Sequence, residues 1–160
     1  MNEISIRMVG SDNIMLEEFE ELHSLQDNIL EAQQCLREFA SNRKYKVVPA
    51  DGTENDFYIM QSGNKIIAAC EFQNGVNCPE DREVSAFFVV PEYQHKGLGV
   101  TLLTVGLTQQ RLKGNKTVGV MIPEKCGDLR SFLEEFGFKE SERRISKLYN
   151  YSNVCYTMEL

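Results

Sequence analysis

Residues 84–99 read VSAFFVVPEYQHKGLG, and residues 101–113 continue as TLLTVGLTQQRLK. Val84 to Val90 is a nearly continuous apolar run, the pattern of a strand buried on both faces. Thr101 to Lys113 carries apolar residues at helical spacing, with Leu102, Leu103, Val105 (or Gly106) and Leu112 expected to face inward. Between them lies a loop containing Gly97 and Gly99. A buried strand, a loop with two glycines and a helix N-terminus together present backbone N–H groups to an anion. The glycines let the main chain approach a ligand without Cβ obstruction, the helix dipole attracts negative charge, and Thr101 offers a hydroxyl. The dinucleotide fingerprint GxGxxG is excluded, because position 102 is Leu, and no Gly-Lys-Ser/Thr follows to make a P-loop.

Working outward, Ile4, Ile6 and Met8 alternate with polar residues as a short strand. Ser11 or Asp12 can cap a helix whose apolar positions recur from Leu16 to about Phe39, with a break at Asp27-Asn28. Residues 43–55 read as a loop. Phe57–Gln61 and Lys65–Phe72 are β-rich runs joined by Ser62-Gly63-Asn64, a hairpin signal. A second loop covers residues 74–82. Downstream of the Thr101 helix come a strand at Thr117–Ile122 and a helix opened by Asp128 or Cys126-Gly127 that runs through Phe136 and is closed by Gly137. Strands at Arg144–Tyr149 and Val154–Leu160 surround a final turn. The order β, α, α, β, β, β, α, β, α, β, β is mixed α/β.

The 160 residues favour one domain spanning 1–160, and 42% hydrophobic with 26% charged residues excludes global disorder. A net charge of −7 argues against nucleic acid as a partner, since phosphate neutralisation needs the opposite sign. The apolar runs fall short of a membrane helix, and residues 1–11 lack the features of a signal peptide, so a cytoplasmic location is expected. Cys35, Cys70, Cys78, Cys126 and Cys155 form no CxxC and lie far from His23 and His95. Reduced, mainly structural thiols and no metal site follow. Charge is unevenly spread: residues 1–92 sum to −10, residues 93–130 to +4 and residues 131–160 to −1. An anion on the basic stretch and a cation on the acidic side are the ligands this asymmetry suggests, solvated surface charge being the alternative.

Val89-x-Pro-x-Tyr-Gln-x-x-Gly-Leu-Gly resembles the acyl-CoA signature of the GNAT (Gcn5-related) N-acetyltransferases, Gln/Arg-x-x-Gly-x-Gly/Ala. Phe132-Leu133-Glu134-Glu135-Phe136-Gly137-Phe138 is similar to the family's Phe-Tyr-x-x-x-Gly-Phe, and Tyr156–Leu160 looks like its last strand. The resemblance implies a GNAT-type α/β (α+β) fold: a mixed, mostly antiparallel central sheet flanked by helices, with strands splayed at the acyl-CoA site. It implies that the main chain of Gln94, His95, Lys96, Gly97, Leu98 and Gly99, with Thr101 behind them, binds the pyrophosphate of acetyl-CoA. Phe88, Val89 and Val90 would pair with the pantetheine arm, and an N–H near Val89 would polarise the thioester carbonyl. Lys96, Arg111 and Lys113 become candidates for phosphate charge, solvated helix-face charges being the other reading.

A protonated amine must lose a proton before attack. Glu83, six residues before Val89, resembles the general-base glutamate of the histone-type enzymes, and strand alternation places it on one face with Ser85, Phe87 and Val89. Glu71 is the reserve. Two departures stand out: Leu133 replaces the tyrosine that many relatives use to protonate the leaving thiolate, and Cys126 replaces an Asn at the cofactor site. A leucine donates no proton, but a thiol of pKa about 8.5 leaves tolerably as thiolate. Tyr149, Tyr151 and Tyr156 are other potential donors, and Cys126 reads as structural rather than nucleophilic. The expected activity is direct acetyl transfer in a ternary complex to a primary amine, on a cationic small molecule or peptide, by a chain that could form a homodimer. A non-catalytic acyl-CoA-binding or regulatory domain is the alternative. A tRNA-acetylating toxin fits less well with the net charge and the missing tyrosine.

Overall fold

The computed structural model describes residues 3–10, 17, 18, 20–22, 24, 25, 28, 55–75, 78–146 and 151–160. Seven strands form one sheet: β1 (Ile4–Gly10), β2 (Asp56–Ser62), β3 (Lys65–Asn74), β4 (Arg82–Val89), β5 (Thr117–Pro123), β6 (Lys139–Ser146) and β7 (Tyr151–Glu159). Their order across it is β1-β2-β3-β4-β5-β7-β6. Every neighbouring pair is antiparallel except β4 with β5. That parallel pair needs a crossover, and α1 (Leu98–Leu112) supplies it; α2 (Gly127–Phe136) links β5 to β6. Residues 17, 18, 20–22, 24, 25 and 28 are helical, and Leu22 is buried in the core. The remainder of the paired helices expected up to Phe39, and residues 43–54, lie outside the described residues.

α1 turns Leu102, Leu103, Gly106, Leu107 and Gln110 toward the sheet, one stripe at helical spacing. Leu112 was expected on that stripe but is 72% exposed, because Gln110 takes the last inward position. That glutamine is held by a buried polar network. Asp56 accepts from Arg82 (3.1 Å) and Gln110 (2.8 Å) through Oδ2 and from Lys113 (2.7 Å) through Oδ1. Gln110 also donates to the Tyr58 hydroxyl at 2.9 Å and accepts from Arg82 Nε at 3.1 Å. Each buried polar group finds a partner, so the network costs little in desolvation and fixes how α1 docks on β2 and β4. At Gly106 a side chain is excluded: a Cβ would lie 2.7 Å from the Phe72 ring.

The last two strands differ from expectation. β6 starts at Lys139 rather than Arg144, and β7 runs from Tyr151 to Glu159. β1 stands where the alternation of Ile4, Ile6 and Met8 places a strand; Ile4 and Met8 are exposed at 44% and 58%, while Ile6 and Val9 pack on the core.

Candidate active site

β4 and β5 pair only at Arg82↔Val118 and Glu83↔Gly119, yet β4 continues to Val89 and β5 to Pro123. Beyond Glu83 the two strands part, leaving a V-shaped gap in mid-sheet with the start of α1 at its mouth. Backbone parity determines which residues of β4 face that gap. Val90 N–H donates to Ile67 O of β3 at 2.8 Å, and Val89 lies opposite Ala68. In an antiparallel ladder alternate residues direct their backbone groups to opposite sides, so Phe88 and Val90 are spent on β3 while Phe87 and Val89 address the gap. Of the expected Phe88, Val89 and Val90, Val89 turns its main-chain groups to the gap, and Phe87, which sequence reading passed over, does so as well. The Phe88 side chain is buried in the core at 4% exposure. Phe87 stacks on Phe132 of α2, with centroids 5.4 Å apart and planes at 25°.

The loop beyond β4 is shaped for an anion. Pro91–Tyr93 is a 3-10 turn, Gln94 is extended, and His95 (φ 60°) and Gly97 (φ 80°) are both left-handed. α1 begins with Gly97 as its N-cap, and no side chain caps it. The first amide to bond back into the helix is that of Thr101, which donates to Gly97 O at 3.1 Å. The preceding helical amides are therefore turned outward with no intrahelical acceptor. His95, Lys96 and Gly97 are exposed. A Cβ at Gly99 would stand 3.3 Å from Phe87, 3.5 Å from Val89 and 3.7 Å from Phe132, so this glycine lies at the junction of loop, gap and α2. The Gln94 amide donates to Val89 O at 2.8 Å, tying the loop to the end of the strand. The Thr101 hydroxyl, expected to serve the anion, instead donates to Gly97 O at 3.1 Å.

Lys96 stays with the loop, its ammonium 5.4 Å from the centre of the Tyr93 ring. Arg111 and Lys113 do not join it. They lie at the other end of α1, which at 1.5 Å per residue is about 20 Å away, and Lys113 is paired with Asp56.

At the apex of the V, Glu83 is 2% exposed, and its Oε2 accepts from Gln73 Nε2 at 2.7 Å. Cys78, just upstream, is also buried; burial, then the charge of Glu83 and a hydrogen bond to it, push the Cys78 thiol up and keep it protonated. Glu71, the reserve base, is 1% exposed, and both its oxygens are engaged, by Ser85 at 2.7 Å and Asn55 at 3.0 Å. Leu133 is buried at 3%, an apolar side chain in the core. Cys126 is the buried N-cap of α2, and none of Cys70, Cys78, Cys126 and Cys155 is in a disulfide. The Tyr156 hydroxyl accepts from Arg130 (3.0 Å) and donates to Glu134 (2.9 Å), so it is committed to α2. Tyr149 lies outside the described residues. Among the described residues no group of His, Cys, Asp and Glu is placed to hold a metal ion.

The sheet opens at its parallel pair, and an uncapped helix N-terminus and a glycine loop stand at the mouth of that gap. The chain belongs to the GNAT acetyltransferase family: the family model described as an acetyltransferase (GNAT) domain matches residues 20–149. Among curated proteins, none matches the sequence. Solved structures agree on the fold. The PaiA N-acetyltransferase of Thermoplasma acidophilum, in complex with coenzyme A, is 20% identical, with TM-score 0.72 over 99% of both chains. A GNAT family acetyltransferase from Elizabethkingia anophelis with acetyl-CoA bound is 16% identical, with TM-score 0.68 over 98% of both chains. The spermidine N-acetyltransferase of Vibrio cholerae, in complex with coenzyme A and spermine, is 13% identical, with TM-score 0.67 over 98% of this chain and 95% of that one.

Proposed function

We propose that the protein is an N-acetyltransferase that moves acetyl from acetyl-CoA to a primary amine of a cationic small molecule or peptide, with Glu83 as general base. The observation that carries this reading is the position of the Glu83 carboxylate: buried, at the last residue where β4 and β5 pair. Acetyl-CoA supplies an acetyl group activated as a thioester. The loop amides after His95, with Lys96, meet its phosphates. The N–H groups of Phe87 and Val89 line the gap as donors toward a carbonyl oxygen.

Strand geometry refines where the reaction occurs. Extended chain rises about 3.3 Å per residue, so Val89 lies about 20 Å from Glu83 along β4 and Phe87 about 13 Å. A carboxylate at 83 cannot serve a carbonyl held at Val89. The N–H of Phe87 is the better oxyanion donor, with water relaying the proton from the amine to Glu83. The amine nitrogen then bonds to the acetyl carbon, the C–S bond breaks, and the sulfur departs as thiolate without a tyrosine at 133. The acidic balance of residues 1–92 favours a cationic acceptor, and the spermidine enzyme among the structural relatives supports an amine.

The buried Leu133 favours one second reading, an acyl-CoA-binding domain without turnover. Acetyl-CoA turnover against polyamines, aminoglycosides, amino acids and lysine-rich peptides, read by mass spectrometry, separates the two. One acetylated amine class is expected. In Glu83→Gln, turnover falls by orders of magnitude while coenzyme A binding holds. Unchanged turnover in that variant overturns the base assignment. No product with any amine, in a chain that binds acetyl-CoA, favours the second reading.

A further inference from the structure

We infer that Glu80 and Asn153 are the two ends of an acceptor subsite, and that the acceptor it takes is a linear amine with a second ammonium group, an α,ω-diamine. The inference deepens the proposed function, on which it rests, by naming the class of acceptor. Two buried acceptor atoms carry it. Asn153 is 7% exposed, and its Oδ1 has no hydrogen-bond partner among the described residues; Glu80 Oε2 is likewise buried and unpartnered there. A buried acceptor left unpaired loses its hydration without return, and a carboxylate loses most. A ligand that donates at both places accounts for the two together.

Strand parity puts both atoms on one face of the sheet. Tyr156 of β7 turns to α2, where its hydroxyl meets Arg130 and Glu134, so Asn153, Cys155 and Thr157 turn to the opposite face. Pro123, Met121 and Gly119 of β5 lie opposite those three residues and share their face. The Glu80 carboxylate rests over Gly119: a Cβ there would stand 2.5 Å from Oε2 and 3.0 Å from Cδ, so only glycine leaves it room.

Asn153 lies opposite Pro123, four residues along β5 from Gly119, so the two ends stand about 13 Å apart. Between them come Met121 and Cys155, a direct cross-strand pair of soft, apolar side chains. An acceptor at each end with apolar side chains between matches a methylene chain with nitrogen at both ends. A chain of nine bonds, as in 1,8-diaminooctane, extends about 11 Å, which leaves room for a hydrogen bond at each end. The same levels decide which nitrogen reacts. Glu83 pairs with Gly119, so Phe87 stands level with Pro123 and hence with Asn153. The amine at Asn153 is therefore level with the Phe87 N–H, and the ammonium at Glu80 is the distal anchor.

The test is calorimetry of 1,8-diaminooctane and octylamine on the full chain saturated with coenzyme A, which reads the subsite without turnover. A monoamine can occupy one end only, so the diamine should bind about tenfold to a hundredfold more tightly, the worth of one more hydrogen bond to a charged group. Glu80→Gln and Asn153→Leu should each bring that ratio toward one, and Asn153→Asp, which adds a charge, should raise it. 1,4-Diaminobutane, too short to bridge, should gain little over butylamine. A purely structural role would lower the melting temperature and leave the ratio in place. Should Asn153→Leu fail to fold, Glu80→Gln and Asn153→Asp still decide. A parent that binds the diamine no better than octylamine, or ratios unmoved in the folded variants, overturn the inference. Ratios that move as expected, with no acetylated diamine formed from acetyl-CoA, overturn the transferase reading and leave the subsite standing.

Discussion

Gly97 and Gly99 sit two residues apart in one loop and are glycines for different reasons. At Gly97 the backbone is left-handed (φ 80°) and nothing stands within 4 Å of a would-be Cβ. Gly97→Ala therefore meets strain alone, about 1 kcal/mol, and coenzyme A affinity by calorimetry should fall about fivefold. Gly99 has no left-handed φ but is crowded by Phe87, Val89 and Phe132 at 3.3–3.7 Å. Gly99→Val drives branched carbons into that junction, so affinity should fall more than about tenfold, together with a loss of stability of about 1–3 kcal/mol. Equal effects of the two substitutions would sink the distinction. The glycine pair was legible in the sequence because an apolar strand run on one side and helical spacing on the other mark the loop that holds it. Which residue turns its N–H into the gap was not. Whether Phe87 or Phe88 faces the gap depends on hydrogen-bond parity after the β-bulge at Glu71/Phe72, and an unbroken apolar run carries no mark of parity.

Among the elements, those with strong periodicity or punctuation were read correctly: the β2–β3 hairpin, β4, α1, β5 and α2 stand near their expected positions. β6 was placed five residues late because Lys139-Glu-Ser-Glu-Arg-Arg-Ile-Ser is almost wholly polar, and a strand at the sheet edge can be so. The docking of α1 was illegible for a different reason: its inward end is a buried glutamine tied to residues far away in sequence. Tyr58 in that network provides a test. Its phenol is pushed up to about 12, first by burial and also by the Asp56 charge, against the opposing Gln110 hydrogen bond. Below pH 10 the phenol is neutral in both states and its contribution to stability is complete. As pH rises from 10 toward 12 the unfolded chain loses the proton first, so the contribution is lost at about 1.4 kcal/mol per pH unit. Urea unfolding should show the parent ahead of Tyr58→Phe by a constant margin up to pH 10 and a shrinking one above it. A margin that holds to pH 11.5 would show that the phenol is not shielded as described.

Over the whole molecule, the arrangement of charge makes opposite demands on the two substrates. Net charge is −7, with −10 on residues 1–92 and +4 on residues 93–130. On the proposed activity, a chain of this charge would attract a cationic acceptor at long range and repel coenzyme A, which Lys96 and the uncapped amides of α1 would recapture at short range. Salt acts unequally on these terms. Raising ionic strength from 0.01 to 1 M contracts the screening length from about 30 Å to about 3 Å, which removes the field of the acidic half but leaves contacts inside the loop largely intact. For the acceptor, attraction is lost, and KM should rise about threefold to tenfold across that range. For coenzyme A, relief of the long-range repulsion offsets the weakened attraction to Lys96, so its Kd should change by less than about twofold. Steady-state kinetics with the acetylated amine, beside calorimetry with coenzyme A, measures both. A KM indifferent to salt would mean that the acidic half does not recruit the acceptor and that the amine is read by shape; a parallel rise in both constants would place the controlling charge in the loop.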